Sequence, residues 1–134
     1  MWLINGVAAN QLPVNDRAIA LGDGFFTTLQ LRRGFPLLWD LHAERLLMTA
    51  RSLYFKAPDL SLIHDELCEL ARLQGAQRVT GKVVITRGSG SRGYSIAGCD
   101  HPVRIVSLHD YPVAYEGWQH EGIHLAVCQG RLGH

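Results

Sequence analysis

The chain has 134 residues, 47% hydrophobic and 19% charged, with 13 Lys+Arg against 12 Asp+Glu. That length fits one domain, or one domain and the start of another, and the composition excludes a disordered chain. A formal charge of +1 argues against a general polyanion binder, which would carry a basic excess. No run approaches the ~18 apolar residues of a membrane span, and Met1 to Asn10 does not read as a secretory signal. Cys68, Cys99 and Cys128 are odd in number and far apart, so a disulfide framework is not expected and a reducing cytoplasm is the default. The seven His are scattered without metal-ligand spacing. Lysine is scarce, with only Lys56 and Lys82.

In chain order, Trp2-Leu3-Ile4 predicts a short strand and Asn5-Gly6 a hairpin turn. A second strand is expected from Val7, running unevenly to about Val14, with Pro13 marking an edge. Asn15-Asp16-Arg17 and Gly22-Asp23-Gly24 read as loop chemistry. Phe25 to Leu31 is β-branched and aromatic, and Arg33-Gly34 turns it into Phe35 to Leu38, a hairpin.

Asp40 is the expected N-cap of a helix, in which Ala43, Leu46, Leu47, Ala50, Leu53 and Tyr54 share a stripe about 120° wide. Pro58 and Asp59 open a second helix with Leu60, Ile63, Leu67 and Leu70 at 3-4-3 spacing, closed by Gly75. Val79 to Thr86 and Val103 to Leu108 predict strands around a Gly-rich loop, and Gly122 to Cys128 a further strand. Strands joined by tight turns, with two helices grouped together, predict an α+β fold: an antiparallel sheet with both helices on one face. A composition break at Tyr111-Pro112 marks the expected boundary between a domain at 1–111 and a linker with an opening strand at 112–134. The last strand has no sequential partner, so the chain is expected to be the N-terminal part of a longer protein.

Gly88-Ser-Gly90-Ser-Arg-Gly93 spells GxGxxG after an apolar strand, but a dinucleotide site needs a helix to open there, and no helical stripe follows. The other reading is a loop whose glycines let backbone approach a ligand. Arg87 and Arg92 flank it, and guanidiniums there suit a carboxylate or phosphate, or stand as solvated surface arginines. Arg45 lies roughly 80° outside the apolar stripe, with His42 and Thr49 on its flank, and reads by itself as part of a solvated face. Asp16, Asp23 and Asp40 suit turns and caps. No G-x-S-x-G elbow and no P-loop occur.

Three segments together resemble a known family. Asn15-Asp-Arg-Ala-Ile-Ala-Leu-Gly-Asp-Gly-Phe-Phe-Thr-Thr28, His42-Ala-Glu-Arg-Leu46 and Val84-Ile-Thr-Arg-Gly-Ser-Gly-Ser-Arg-Gly-Tyr-Ser95 come in the order and spacing of the fold-type IV pyridoxal-phosphate enzymes. The short opening Met1-Trp-Leu-Ile-Asn-Gly6, Phe-Thr-Thr after Gly-Asp-Gly, and the Arg-Gly-Tyr of the loop are most similar to its 4-amino-4-deoxychorismate lyase branch. The resemblance spans nearly the whole chain. It implies the small N-terminal domain of that fold, pyridoxal 5'-phosphate as cofactor, a small-molecule substrate, a homodimer and a role in folate biosynthesis. It makes Arg45 the ligand of the cofactor phosphate, and Arg92, with Tyr94 beside it, the ligand of a substrate carboxylate. Phe26 and Thr28 are then pocket residues, Phe26 having simple packing as its other reading.

The family carries its cofactor as a Schiff base on a lysine, and neither Lys56 nor Lys82 matches that position. No catalytic residue is therefore expected in this chain. The Schiff-base lysine is expected beyond His134, and the 134 residues alone are expected to be inactive. An aminotransferase for D- or branched-chain amino acids is the alternative in the family. Phe26-Thr27-Thr28 lacks the tyrosine and acidic residue of the D-amino-acid enzymes. A domain that only binds a partner or an anionic ligand is the alternative of another class.

Overall fold

Antiparallel pairing builds one sheet from all six strands. The computed structural model describes residues 1–90 and 93–130. The strands are β1 (Trp2–Ile4), β2 (Val7–Ala8), β3 (Gly24–Arg32), β4 (Phe35–Pro36), β5 (Arg78–Thr86) and β6 (Val103–Asp110), in the sheet order β2-β1-β6-β5-β3-β4. The helices are α1 (Arg17–Leu21), α2 (Trp39–Ser52), α3 (Leu60–Gln74) and α4 (Ala114–Glu121). This is the expected α+β fold. Among the described residues no helix is long and apolar enough to cross a membrane.

Side-chain alternation divides the sheet into two faces. Phe25, Thr27, Leu29 and Leu31 of β3 are buried, while Phe26 and Thr28 between them, and Arg32 after them, are exposed. On β5, Val79, Val83 and Ile85 point the same way as the buried set, joined from β6 by Val106 and Leu108. Leu46 and Ala50 of α2 and Ile63, Leu67 and Leu70 of α3 cover that face and close the core. Of the predicted α2 stripe, Ala43, Leu46 and Ala50 are buried; Leu47 is exposed, and so are Leu53 and Tyr54, because α2 ends at Ser52 and Tyr54 takes a left-handed conformation (φ 56°) that carries the chain away from the stripe.

Several boundaries differ from expectation. The helix expected to be capped by Asp40 begins at Trp39, after Leu38 in a left-handed turn (φ 53°), and Asp40 sits in its first turn where a carboxylate suits the positive end of the helix. Strand β2 ends at Ala8, well short of Val14. Between the expected loop segments Asn15-Asp16-Arg17 and Gly22-Asp23-Gly24 lies α1, which takes in Arg17 and is capped by Asp16, whose Oδ1 accepts from the Ala18 amide at 2.8 Å. The strand expected at Gly122–Cys128 is absent: residues 122–130 have no regular structure and are exposed, with no neighbouring strand to take their hydrogen bonds. Helix α4 was not foreseen. Arg78 anchors it through a 2.8 Å ion pair to Glu116, and stacks over Tyr111 just before it.

Candidate functional site

Helix α2 is locked to the sheet through a polar contact. Thr27 is fully buried on β3, and its Oγ1 lies 2.8 Å from His42 Nδ1 in a hydrogen bond. Burial of the imidazole, and then the charge of Arg45 one turn along, hold the His42 pKa below its ordinary 6.5. The ring is therefore neutral at pH 7. Arg45 is exposed and makes no hydrogen bond or ion pair with the described residues. An exposed guanidinium that no described residue pairs is a donor suited to an anion.

Phe26 and Thr28 lie on the opposite, open face of the sheet. Phe26 is 53% exposed, and Lys82 of β5 reaches its ring, with Nζ 5.0 Å from the centroid. Thr28 is paired in register with Lys82. The strand thus sends its even-numbered residues away from Arg45. These residues form a small platform with an aromatic ring, a hydroxyl and an ammonium.

The Gly-rich loop leaves β5 beside the start of β3, where Thr86 pairs with Gly24. No helix occurs at 93–102, which closes the dinucleotide reading. Arg92 lies outside the described residues. Tyr94 is 90% exposed. Arg87 does not serve an anionic ligand and is not a solvated arginine: it is buried, and its Nε donates to both oxygens of Asp23 at 3.0 and 2.8 Å. Its remaining donors go to the carbonyls of Tyr54 (3.1 Å) and Leu53 (2.8 Å), and its plane lies 3.8 Å over the Phe55 ring. All three nitrogens of that guanidinium are engaged by the fold.

Asp23 also accepts from Arg17 Nε at 2.8 Å. Burial pushes the Asp23 carboxyl up, but the hydrogen bonds and charges of Arg87 and Arg17 outweigh it, leaving the pKa below the ordinary 3.8. Asp16 is fully buried, and accepts from Thr86 Oγ1 at 2.8 Å in addition to capping α1. Reading Asp16 and Asp23 as turn and cap residues finds only the local half of their contacts. The missed signal was Arg17, a cation directly before the apolar run Ala-Ile-Ala-Leu with an acid on each side.

Arg45, the Phe26–Thr28 pair and Tyr94 thus occupy three places: the outer side of α2, the open sheet face and the loop at the β5 end. A groove of about 710 Å³, lined by Arg33, Phe35, Cys68 and Arg72 near the far end of β3, involves none of them.

A sequence profile described as amino-transferase class IV matches residues 24–132. The chain belongs to the class IV aminotransferase family. It is 33% identical over 133 residues to an aminodeoxychorismate lyase from Vibrio harveyi, a match covering 99% of this chain and 48% of that protein. Among solved structures it is similar to 4-amino-4-deoxychorismate lyase from Pseudomonas aeruginosa, at 33% identity and a TM-score of 0.83, covering 96% of this chain and 47% of that one. The branched-chain amino acid aminotransferase of Escherichia coli shares the fold, with a TM-score of 0.73 at 14% identity, over 82% of this chain and 39% of that one. The chain spans about half the length of the relatives it matches.

Proposed function

We propose that this chain is the N-terminal part of a pyridoxal-phosphate-dependent 4-amino-4-deoxychorismate lyase, which converts its substrate to 4-aminobenzoate and pyruvate. The observation that carries the reading is the 33% identity to a lyase along 99% of the chain, together with an exposed Arg45 that no described residue pairs. Residues 1–111 would be the small domain, and 112–134 would lead into the part that holds the Schiff-base lysine.

The exposed guanidinium on α2 fits the cofactor phosphate. Arg45 would hold that phosphate, and neutral His42 would orient α2 through Thr27 without adding a second full charge. When bound, the cofactor supplies an electron sink for the amine-bearing carbon of the substrate. Arg92 and Tyr94 would bind a substrate carboxylate and so fix the ring relative to that sink. Phe26 and Thr28 would line the pocket, with the aromatic face excluding water. The proton removed from the amine-bearing carbon would go to the lysine in the remainder of the protein. Loss of the enolpyruvyl group as pyruvate then leaves an aromatic ring, which drives the reaction forward. A homodimer in the cytoplasm fits this family assignment.

The test is pyruvate release from 4-amino-4-deoxychorismate by the full-length protein with pyridoxal phosphate. Production of pyruvate and 4-aminobenzoate in equal amounts supports the proposal. Amino-group transfer from D-alanine or leucine, without pyruvate release from the chorismate derivative, would establish the aminotransferase reading instead.

A further inference from the structure

We infer that Arg17 is a positioning residue for the Gly-rich loop, setting where the loop presents Tyr94. The substrate-facing part of this inference rests on the function proposed above. Arg17 is 4% exposed, and its guanidinium is shared between two distant segments. Nε donates to Asp23 Oδ2 at 2.8 Å, Nη1 to the Gly93 carbonyl at 3.0 Å and Nη2 to the Tyr94 carbonyl at 3.4 Å. The backbone of the same segment grips the start of the loop. The Arg17 amide donates to the Gly88 carbonyl at 3.0 Å, and Ser89 Oγ donates to Asn15 Oδ1 at 3.2 Å. Residues 15–17 therefore hold the loop at Gly88 through the Arg17 amide, at Ser89 through the Asn15 side chain, and at 93–94 through the Arg17 guanidinium.

Two features make the arrangement specific. A guanidinium is a planar fork that can serve a carboxylate and two carbonyls at once, whereas an ammonium is a single point. The loop is also shaped around this side chain. A Cβ on Gly90 would collide with Cys99 Sγ and come within 2.9 Å of Arg17 Cδ. Asp23 sets the direction of the fork, and Arg87, on the other side of the same carboxylate, spends its Nη donors on Leu53 and Tyr54 rather than on the loop. Of the two buried arginines on Asp23, Arg17 is the one that hydrogen-bonds to the described residues of the segment that carries Tyr94.

Hydrogen exchange of the 88–98 segment in the full-length protein tests the anchor without reference to activity. R17K is compared with L67V, a core change that lowers global stability away from the loop. Exchange of this segment at least ~10-fold faster in R17K than in L67V, with the strands of the sheet alike in both, is expected. Equal exchange in the two variants overturns the anchor. Should R17K fail to fold, the Arg17 guanidinium of the wild-type protein decides. Separate Nη proton signals mean a fork held on both segments, and a single averaged signal means it is not held. In the lyase assay, R17K should raise KM about 10- to 100-fold with little change in kcat, the signature of a misplaced binding group. A fall in kcat at unchanged KM removes the positioning role. Absence of lyase activity in the wild-type protein would defeat the functional reading, while the exchange comparison would still decide the anchor.

Discussion

Thr27 and His42 are joined across the β3–α2 interface by a 2.8 Å hydrogen bond between Oγ1 and Nδ1. This contact connects two motifs that are separate in sequence. It fixes the rotation of α2 on the sheet, and hence the direction of Arg45, three residues on. It also fixes the phase of β3: with Thr27 buried, Phe26 and Thr28 must face the other way.

Replacing Arg45 by Ala should cost little stability, because the side chain is exposed and has no partner among the described residues. In the full-length protein it should weaken pyridoxal-phosphate binding by roughly 10- to 150-fold, the equivalent of one charge-assisted hydrogen bond of about 1.5–3 kcal/mol. Titration of cofactor absorbance against both proteins measures this, and unchanged affinity would return Arg45 to a solvated surface.

His42 should titrate below 6.5, and R45A should move it upward by removing the second cause of its depression. The native state disfavours the imidazolium, so below pH 6.5 the unfolded chain takes up the proton first. The associated stability is complete above that pH and falls as the pH drops towards the native pKa. Proton NMR of the ring, with denaturant melts across the same range, checks both statements.

Asp23 neutralises two guanidiniums at once. D23N leaves Arg17 and Arg87 buried without their shared carboxylate, and should cost about 3–5 kcal/mol, as when one partner of a buried ion pair is removed. The Asp23 pKa lies below 3.8, so the wild type keeps this contribution above that pH and loses it as the pH falls through the native value. In D23N the acid-dependent loss should shrink, which equilibrium unfolding at pH 7 and near pH 3 would show.

Gly81 faces the helices from the middle of β5. A Cβ there would lie 2.6 Å from Leu31 Cδ1 and 3.0 Å from Leu67 Cδ2. G81A should therefore destabilise the fold by about 1–3 kcal/mol through overpacking. L67A, which empties the same layer, should cost about 2–5 kcal/mol. Thermal or denaturant unfolding of the two variants checks the pair, and a neutral G81A would mean that the leucines rotate away freely.

Local pattern by itself determined the long strands, the two core helices and their order. Their apolar spacing is tied to the period of the backbone, and Gly75 stops α3 through its own left-handed conformation (φ 67°). Arg45 could also be placed outside the buried stripe of α2 from spacing alone. Tertiary structure decided the rest, because it depends on partners distant in the chain. The segment 122–128 alternates weakly, yet a strand exists only where another strand takes its hydrogen bonds. Arg87 has the residue type and the neighbours of an anion ligand, but Asp23, 64 positions earlier, claims it. Arg17 looks like a loop residue until the chain returns 76 positions later with the Gly93 carbonyl. A buried guanidinium is stable only when each donor finds an acceptor, and only the folded chain brings those acceptors together.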